Sequence, residues 1–120
     1  PPRSKENTMN EQQQQPSTPF ISINTFTARD GGLDALIQFQ IAETQRMSIE
    51  ATAHGWLGNE MYRTRGGTDL IVITRFRSPE ARALWAETPR FLRHVDALQP
   101  YVQEITTTAV DFVAAHGAPR

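Results

Sequence analysis

The sequence contains three histidines, which could act as acids, bases or metal ligands, and it contains no cysteine. The missing thiols exclude disulfides, cysteine nucleophiles and thiolate metal sites. His54, His94 and His116 lie far apart along the chain, and none belongs to a spacing typical of metal ligands. The pairs Gly31-Gly32 and Gly66-Gly67 are isolated turns rather than a phosphate-binding motif. We therefore expect neither a metal nor another cofactor.

Of the three histidines, His94 is the candidate for acid–base chemistry. His54 stands just before Gly55, where a helix is expected to end, and His116 lies near the end of the sequence. The position of His94 in a predicted helix allows it either to accept a proton beside a pocket or to face solvent. Of the two, a solvent-facing histidine is the commoner outcome.

Asn24 is a polar residue in an unusual place. It lies in the middle of FISINTFT, a stretch rich in β-branched and aromatic residues that predicts a strand. Because asparagine is depleted in strands, Asn24 needs a reason to be there. One hypothesis is a role in a pocket, and the other is a hydrogen bond to a neighbouring strand or to a partner subunit.

The first half of the sequence alternates between strand and helix patterns. Phe20–Thr27 predicts the first strand, and apolar residues then recur at spacings of three, four and seven from about Gly32 to about Ala53, which predicts a helix. Trp56–Thr64 and Thr68–Arg77 flank the Gly66-Gly67 turn and predict a hairpin.

Two capping signatures divide the second half. Ser78-Pro79-Glu80 predicts the start of a helix, and Thr88-Pro89 repeats the pattern, so the helix should break or kink there. Gln103–Val113 is rich in threonine and valine and predicts the last strand. The helical residues expected to face inward are Ala81, Leu84, Trp85, Phe91, Leu92, Val95 and Leu98.

The resulting order, β-α-β-β-α-β, predicts a ferredoxin-like α+β domain with two helices on one face of a four-stranded sheet. Strand alternation is expected to place Phe26, Val72 and Phe76, together with Phe112, on the face that the helices leave uncovered. An apolar sheet face is not normally left in water. We therefore expect it to meet a ligand, a partner or a second copy of the chain.

Composition and charge limit the classes of protein and the partners that this sequence can represent. The 120 residues are 38% apolar and 21% charged with a net charge of −1, which is typical of one globular domain with no affinity for nucleic acid. Residues 1–19, rich in glutamine and proline, predict a disordered tail before a domain over residues 20–116, and residues 117–120 predict a second tail. The absence of signal-peptide and membrane-spanning patterns favours a cytoplasmic protein without membrane contact.

The stretch Ile71–Phe91 (IVITRFRSPEARALWAETPRF) resembles the signature of the antibiotic biosynthesis monooxygenase family, a branch of the dimeric α+β barrel superfamily. In that family an aromatic residue near the end of the third strand is followed by Ser, an acidic residue and Ala, and a Ser/Thr-Pro pair then precedes a Phe. The similarity in strand order and helix length runs from Phe20 to about Ala115. The matching signature positions are Phe76, Ser78, Glu80, Ala81, Thr88, Pro89 and Phe91.

This resemblance implies a homodimer whose two sheets form a barrel, with one pocket per subunit between sheet and helices. Many family members oxidise anthrones, quinols or other aromatic polyketides to quinones with O₂ and no cofactor. Such chemistry needs a dry pocket that orients an electron-rich ring and stabilises a developing oxyanion. The expected function is therefore a cofactor-independent monooxygenase that acts on a small aromatic substrate.

The resemblance also implies where the site residues lie. Asn24 matches a first-strand asparagine that haem-degrading members of the superfamily use in their pocket, and Asn24 and His94 are the expected catalytic residues. Many relatives have a Trp at the position of Phe76, and numerous members have a His at that of Trp85, although core packing explains Trp85 more simply. The expected substrate-binding residues are Phe26, Val72, Phe76, Trp85 and Phe91.

Two other functions stay open. Quinone-forming relatives carry polar and aromatic groups where this chain has Val72, Phe76 and Arg82. A non-oxidative polyketide cyclase or a small-ligand-binding protein of the same fold is therefore one alternative. A haem-binding or haem-degrading protein is the other. Asn24 favours it, whereas Phe76 and Val95, the latter at the axial-ligand position of haem-binding relatives, argue against it.

Overall fold

The computed structural model describes residues 19–118, and its four strands form one antiparallel sheet in the order β2-β3-β1-β4. The predicted tail over residues 1–19 lies, apart from Pro19, outside the described residues, so that division of the chain stays a prediction. No helix among residues 19–118 has the length and hydropathy needed to cross a membrane. The elements are β1 (Phe20–Ala28), α1 (Leu33–Ala53), β2 (Trp56–Arg63), β3 (Asp69–Phe76), α2 (Pro79–Ala86), α3 (Pro89–Leu98), a 3₁₀ turn (Gln99–Tyr101) and β4 (Val102–Val110).

This is the ferredoxin-like α+β fold that the sequence predicts, with the second helical segment divided in two. The Ser78 hydroxyl accepts a hydrogen bond from the backbone N–H of Ala81 at 3.0 Å, and the Thr88 hydroxyl accepts one from that of Phe91 at 3.2 Å. Each hydroxyl caps a helix whose first residue is a proline. Because Thr88 caps a new helix, the predicted break is complete.

The helices cover the sheet face opposite to the expected one. Val72 pairs with Asn24 across β3 and β1, which puts the even-numbered residues of both strands on one side of the sheet. Phe26, Val72 and Phe76 are only 4–5% exposed on that side, beneath the helices. Their predicted place on the uncovered face was therefore wrong. Phe112 lies beyond the end of β4 and is 58% exposed.

The uncovered face is also apolar, and this explains the error. It carries Ile21, Ile23, Ile71 and Ile73, all of them partly exposed. Alternation shows which residues share a face of a strand. Since both faces of β1 and β3 are apolar, it does not show which of the two meets the helices.

Buried side chains from the sheet and helices form two clusters that flank a cavity. Leu84 and Leu92, which were expected to face inward, are 62% and 52% exposed, whereas Trp85 and His94 take the inward positions. Leu36 and Leu70 are the largest fully buried side chains. The first cluster is Phe26, Ala28, Leu36, Leu70, Val72, Leu98 and Val102, and the second is Ala51, Phe76, Ala81 and Trp85.

Gly55 allows the end of α1 to approach the start of α2. Its φ of +98° lies in the left-handed region, and a Cβ atom at this position would come within 2.8 Å of the Ala81 Cβ. The Gly55 carbonyl also accepts a hydrogen bond from the backbone N–H of Arg77 at 2.7 Å. Ala51 of α1 and Trp85 of α2 lie near this approach of the two helices, and both line the cavity. The approach at Gly55 therefore fixes one end of the cavity.

We expect Gly55→Ala to lower the free energy of unfolding by about 1–3 kcal/mol through backbone strain, with a further loss from the contact with Ala81. Gly31→Ala is the matched control, because Gly31 also has a positive φ of 67° but a Cβ there would meet no atom within 4 Å. Urea denaturation measures both losses. Equal losses in the two variants would show that the approach to Ala81 carries no cost.

Candidate functional site

A cavity of about 230 Å³ lies between the covered sheet face and the three helices. Pockets for drug-sized ligands commonly measure ~300–1,000 Å³, so this one suits a small ligand. The seven residues predicted to form the site all line it, although their roles stay predictions. They are Asn24, Phe26 and Val72 and Phe76 of the sheet, Trp85 of α2, and Phe91 and His94 of α3.

Aromatic rings form one wall of this cavity. Trp85 packs edge-on against Phe91 with their ring centroids 6.0 Å apart, and Phe91 lies 5.9 Å from the imidazole of His94. Trp85 is 5% exposed and belongs to the second cluster while it also lines the cavity. Trp85 is therefore both a core residue and a residue of the cavity wall. This aromatic wall would accept a flat ring by stacking or edge contact.

Polar groups from the sheet face this wall. Asn24 lies between Val72 of β3 and Thr107 of β4 in the strand register, and Asn59 and Thr74 line the same cavity. Within residues 19–118, no hydrogen bond is made to the Asn24 side chain, so the predicted alternative of a bond to a neighbouring strand is not formed there. Its amide is thus available to a ligand in the cavity.

His94 is buried rather than solvent-facing, with 7% of its surface exposed. Because α3 begins anew at Pro89, its inward side is set by Phe91, His94 and Leu98 at spacings of three and four residues. The solvent-facing position that is commoner for a histidine is therefore not the one that His94 takes. The imidazole stacks on Phe39 of α1 with centroids 5.7 Å apart and an interplanar angle of 8°.

Glu43 of α1 is the partner of His94, and the two are 51 residues apart in the sequence. Glu43 Oε1 lies 2.9 Å from His94 Nδ1. Arg90 spans both carboxylate oxygens at 3.4 and 3.1 Å, and Arg46 contacts Oε2 at 2.9 Å. Glu43 is 6% exposed, so a buried carboxylate is surrounded by one imidazole and two guanidinium groups, a cluster we call the Glu43 cluster.

The sequence prediction missed Glu43, although it contains a signal. The predicted apolar series of α1 includes Leu36, Ile37, Ile41 and Met47. Gln40 and Glu43, four and seven residues after Leu36, interrupt the apolar side of the helix that Leu36 marks. In the structure Leu36, Gln40, Glu43 and Ala51 are the buried residues of this helix. A carboxylate at an inward helical position is almost never buried without partners, so the interruption itself marks a polar cluster.

Both members of the histidine–carboxylate pair have shifted pKa values. Burial acts to raise the pKa of Glu43, but hydrogen bonds from Arg90, His94 and Arg46 outweigh it and lower that pKa from 4.5 to about 2. Burial lowers the pKa of His94 below its usual 6.5, and the Glu43 carboxylate offsets part of this effect. At neutral pH the pair is therefore a carboxylate beside a neutral imidazole.

Glu43→Gln tests the contribution of this cluster to stability. Hydrogen bonds to charged groups contribute about 1.5–3 kcal/mol each, so we expect a loss of about 2–3 kcal/mol in the free energy of unfolding at pH 7. Because the pKa of Glu43 is lowered in the folded state, its contribution is complete above pH 4.5 and is lost as the pH falls towards 2.

Urea denaturation at several pH values measures this difference, with Glu50→Gln, an exposed carboxylate on the same helix, as the control. The gap between Glu43→Gln and the unsubstituted protein should close between pH 4.5 and 2. A gap that stays constant over that range would contradict the assignment of Glu43 as an ionised, buried acceptor.

Metal ligands do not converge in the described part of the chain, where no three side chains of His, Asp or Glu lie close enough to hold an ion. The expectation that the protein uses no metal stays a prediction.

Several solved structures have the same fold. PA3566 from Pseudomonas aeruginosa is 25% identical with a TM-score of 0.69, and the alignment covers 83% of this chain and 99% of that one. A proposed antibiotic biosynthesis monooxygenase from Chloroflexus aurantiacus is 18% identical with a TM-score of 0.65, covering 83% and 98%. A dimeric ferredoxin-like protein from an uncultured marine organism is 10% identical with a TM-score of 0.69, covering 90% and 99%.

These similarities establish the ferredoxin-like fold over nearly the whole described chain. No family model matches the sequence, and no curated protein matches it either. Proteins described as antibiotic biosynthesis monooxygenases are among the structures that share the fold, as the resemblance over Ile71–Phe91 implies. Activity and substrate have to be argued from the cavity itself.

Proposed function

We propose that this protein oxygenates a small electron-rich aromatic compound of the anthrone or quinol type with O₂ and without a cofactor. The observation that carries the proposal is a small cavity with one aromatic wall, in which a buried histidine is neutral and paired with a carboxylate. A base beside an aromatic wall meets the main requirement for activating a substrate that is its own reductant. Solved structures of the same fold that are described as monooxygenases or as a possible oxidoreductase support it further.

For an anthrone the reaction converts a CH₂ group and O₂ into a carbonyl group and water. His94 takes a proton from the substrate, and the resulting anion transfers one electron to O₂. The substrate radical and superoxide then combine through a new C–O bond to form a peroxide, which the protonated His94 protonates. Loss of the second C–H proton with cleavage of the O–O bond gives the quinone and water, and the four electrons come from the substrate alone.

Asn24 and the aromatic residues have the supporting roles in this proposal. The Asn24 amide lies on the sheet side of the cavity and donates to the oxyanion that forms when the substrate loses its proton. Phe76, Trp85 and Phe91 hold the ring and exclude water. Phe26 and Val72 complete the apolar surface below it.

The test is oxygen uptake by purified, metal-free protein offered anthrone- and quinol-type compounds. We expect one O₂ consumed for each quinone formed from an anthrone, with no added metal, flavin or haem. Uptake that required an added cofactor would contradict the proposal. Binding without uptake, seen as a rise in melting temperature, would favour the non-oxidative alternative of a cyclase or carrier.

Two substitutions separate the proposed roles. His94→Gln should lower kcat by about 10²–10⁴-fold, as loss of a general base does, and Asn24→Ala by about 10²–10³-fold, as loss of an oxyanion donor does. His116→Gln, at an exposed position beyond β4, and Asn59→Ala, a second asparagine on the sheet side of the cavity, are the matched controls. Folded variants, by melting temperature, that keep full turnover would show that His94 and Asn24 are structural.

The pH dependence follows from the lowered pKa of His94. Because the base acts in its neutral form, kcat/KM should stay constant as the pH falls to 6.5 and decline only below it. A decline that begins above pH 6.5 would contradict the assignment of His94 as the base.

A haem-binding function is less well supported by the cavity. Its volume of about 230 Å³ is below the range that drug-sized ligands occupy, and haem is larger than those ligands. Val95, at the position where haem-binding relatives have their ligand, cannot coordinate iron. His94 is one position away from that place in the sequence.

The proposed assembly is a homodimer formed through the uncovered sheet face. Ile21, Ile23, Ile71 and Ile73 form an apolar surface that is partly exposed in the single chain. One protein of the same fold is described as dimeric. A second copy of the chain presents the same surface, so the contact can close with two-fold symmetry.

Light scattering at micromolar concentration should give the mass of a dimer, and Ile23→Asp should convert it to a monomer. Ile49→Asp, on the helical side and 87% exposed, is the control and should stay dimeric. A monomer mass for the unsubstituted protein, or a dimer that survives Ile23→Asp, would contradict the proposed interface.

A further inference from the structure

We propose that Glu43 is a positioning residue, whose carboxylate holds the imidazole of His94 in the tautomer with its proton on Nδ1 and its lone pair on Nε2. This inference rests on the proposed function for its catalytic meaning, since it names the group that makes His94 a base towards the cavity. The tautomer itself is a property of the protein without substrate and can be measured separately.

The first step is the hydrogen bond between the two side chains. An ionised carboxylate has no proton to donate and acts only as an acceptor. Glu43 Oε1 lies 2.9 Å from His94 Nδ1, so Nδ1 must carry the hydrogen. In a neutral imidazole the other nitrogen, Nε2, is then an acceptor with a lone pair.

The second step is the absence of a protein partner for Nε2. His94 lines the cavity and is 7% exposed, and no residue in the range 19–118 forms a hydrogen bond with its Nε2. A buried acceptor without a partner is unfavourable. A hydroxyl group on an aromatic ring bound in the cavity would donate a hydrogen to Nε2 and complete the arrangement.

The third step is the rigidity of the pair. Arg90 contacts both oxygens of the carboxylate and Arg46 contacts one, so Glu43 is held from α3 and from its own helix. The imidazole lies against Phe39 on one side and against Phe91 on another. These contacts oppose the ring flip that would exchange Nδ1 and Nε2.

The charges around His94 favour the same reaction. Glu43 and Arg46 approach from α1 and Arg90 from α3, while Arg82 of α2 lines the cavity and forms no ion pair within residues 19–118. The sheet contributes only neutral residues to the cavity lining. When Nε2 accepts a proton, Glu43 stabilises the imidazolium directly, and the remaining positive charge favours the ligand anion.

The tautomer is read from the ¹⁵N chemical shifts of the imidazole in the ¹⁵N-labelled full chain at neutral pH, with His94→Gln used to assign the signal. We expect a protonated-type shift for Nδ1 and an unprotonated-type shift for Nε2. In Glu43→Gln the amide can donate as well as accept, so we expect a mixture of tautomers. Glu50→Gln, which neutralises an exposed carboxylate on the same helix outside the Glu43 cluster, should keep the original tautomer.

Kinetics on the same variants separates positioning from folding. Glu43→Gln should lower kcat at least 10-fold with little change in KM and melting behaviour that still shows a folded protein, while Glu50→Gln should stay within a few-fold. A proton on Nε2 in the unsubstituted protein, or an unchanged tautomer and kcat in Glu43→Gln, would overturn the proposal. The predicted tautomer without oxygen uptake would support the positioning role of Glu43 and reject the oxygenase function.

Discussion

The carboxylate of Glu43 is the contact that joins the two long helical segments above the cavity. It binds His94 and Arg90, both from α3, and lies on α1, more than forty residues away. Without it, two cationic or polar side chains would face each other in a buried space with no acceptor, which is strongly unfavourable. This carboxylate, together with the stacking of His94 on Phe39, therefore fixes the position of α3 and with it the wall formed by Phe91 and His94.

A buried ionic cluster is a costly way to join two helices. Apolar side chains of similar volume give comparable or greater stability in several proteins because they avoid the desolvation of charge. The Glu43 cluster is better explained by its effect on His94, whose neutral imidazole lies between the Glu43 carboxylate and the cavity. Titratable groups with shifted pKa values and a specific charged partner in a cavity are typical of functional sites.

Local patterns were enough to predict the fold and the elements that build the cavity. Ser78-Pro79 and Thr88-Pro89 predicted the starts of α2 and α3 because capping and proline geometry act within one helical turn. The pairing of Glu43 with His94 joins residues 51 positions apart, and no local pattern contains it. The side of the sheet that meets the helices was also missed, since Phe26 and Ile23 are equally suited to burial and only packing decides between them.

Proton removal from a bound hydroxyaromatic compound is the chemical event on which the proposed function depends. The absorption spectrum of such a compound, bound to excess protein without oxygen, reports it directly because the anion absorbs at longer wavelength than the neutral form. At a pH where the free compound is neutral, we expect the bound compound to show the spectrum of the anion, and to lose it in His94→Gln. A bound compound that keeps its neutral spectrum would contradict the assignment of His94 as the base of this cavity.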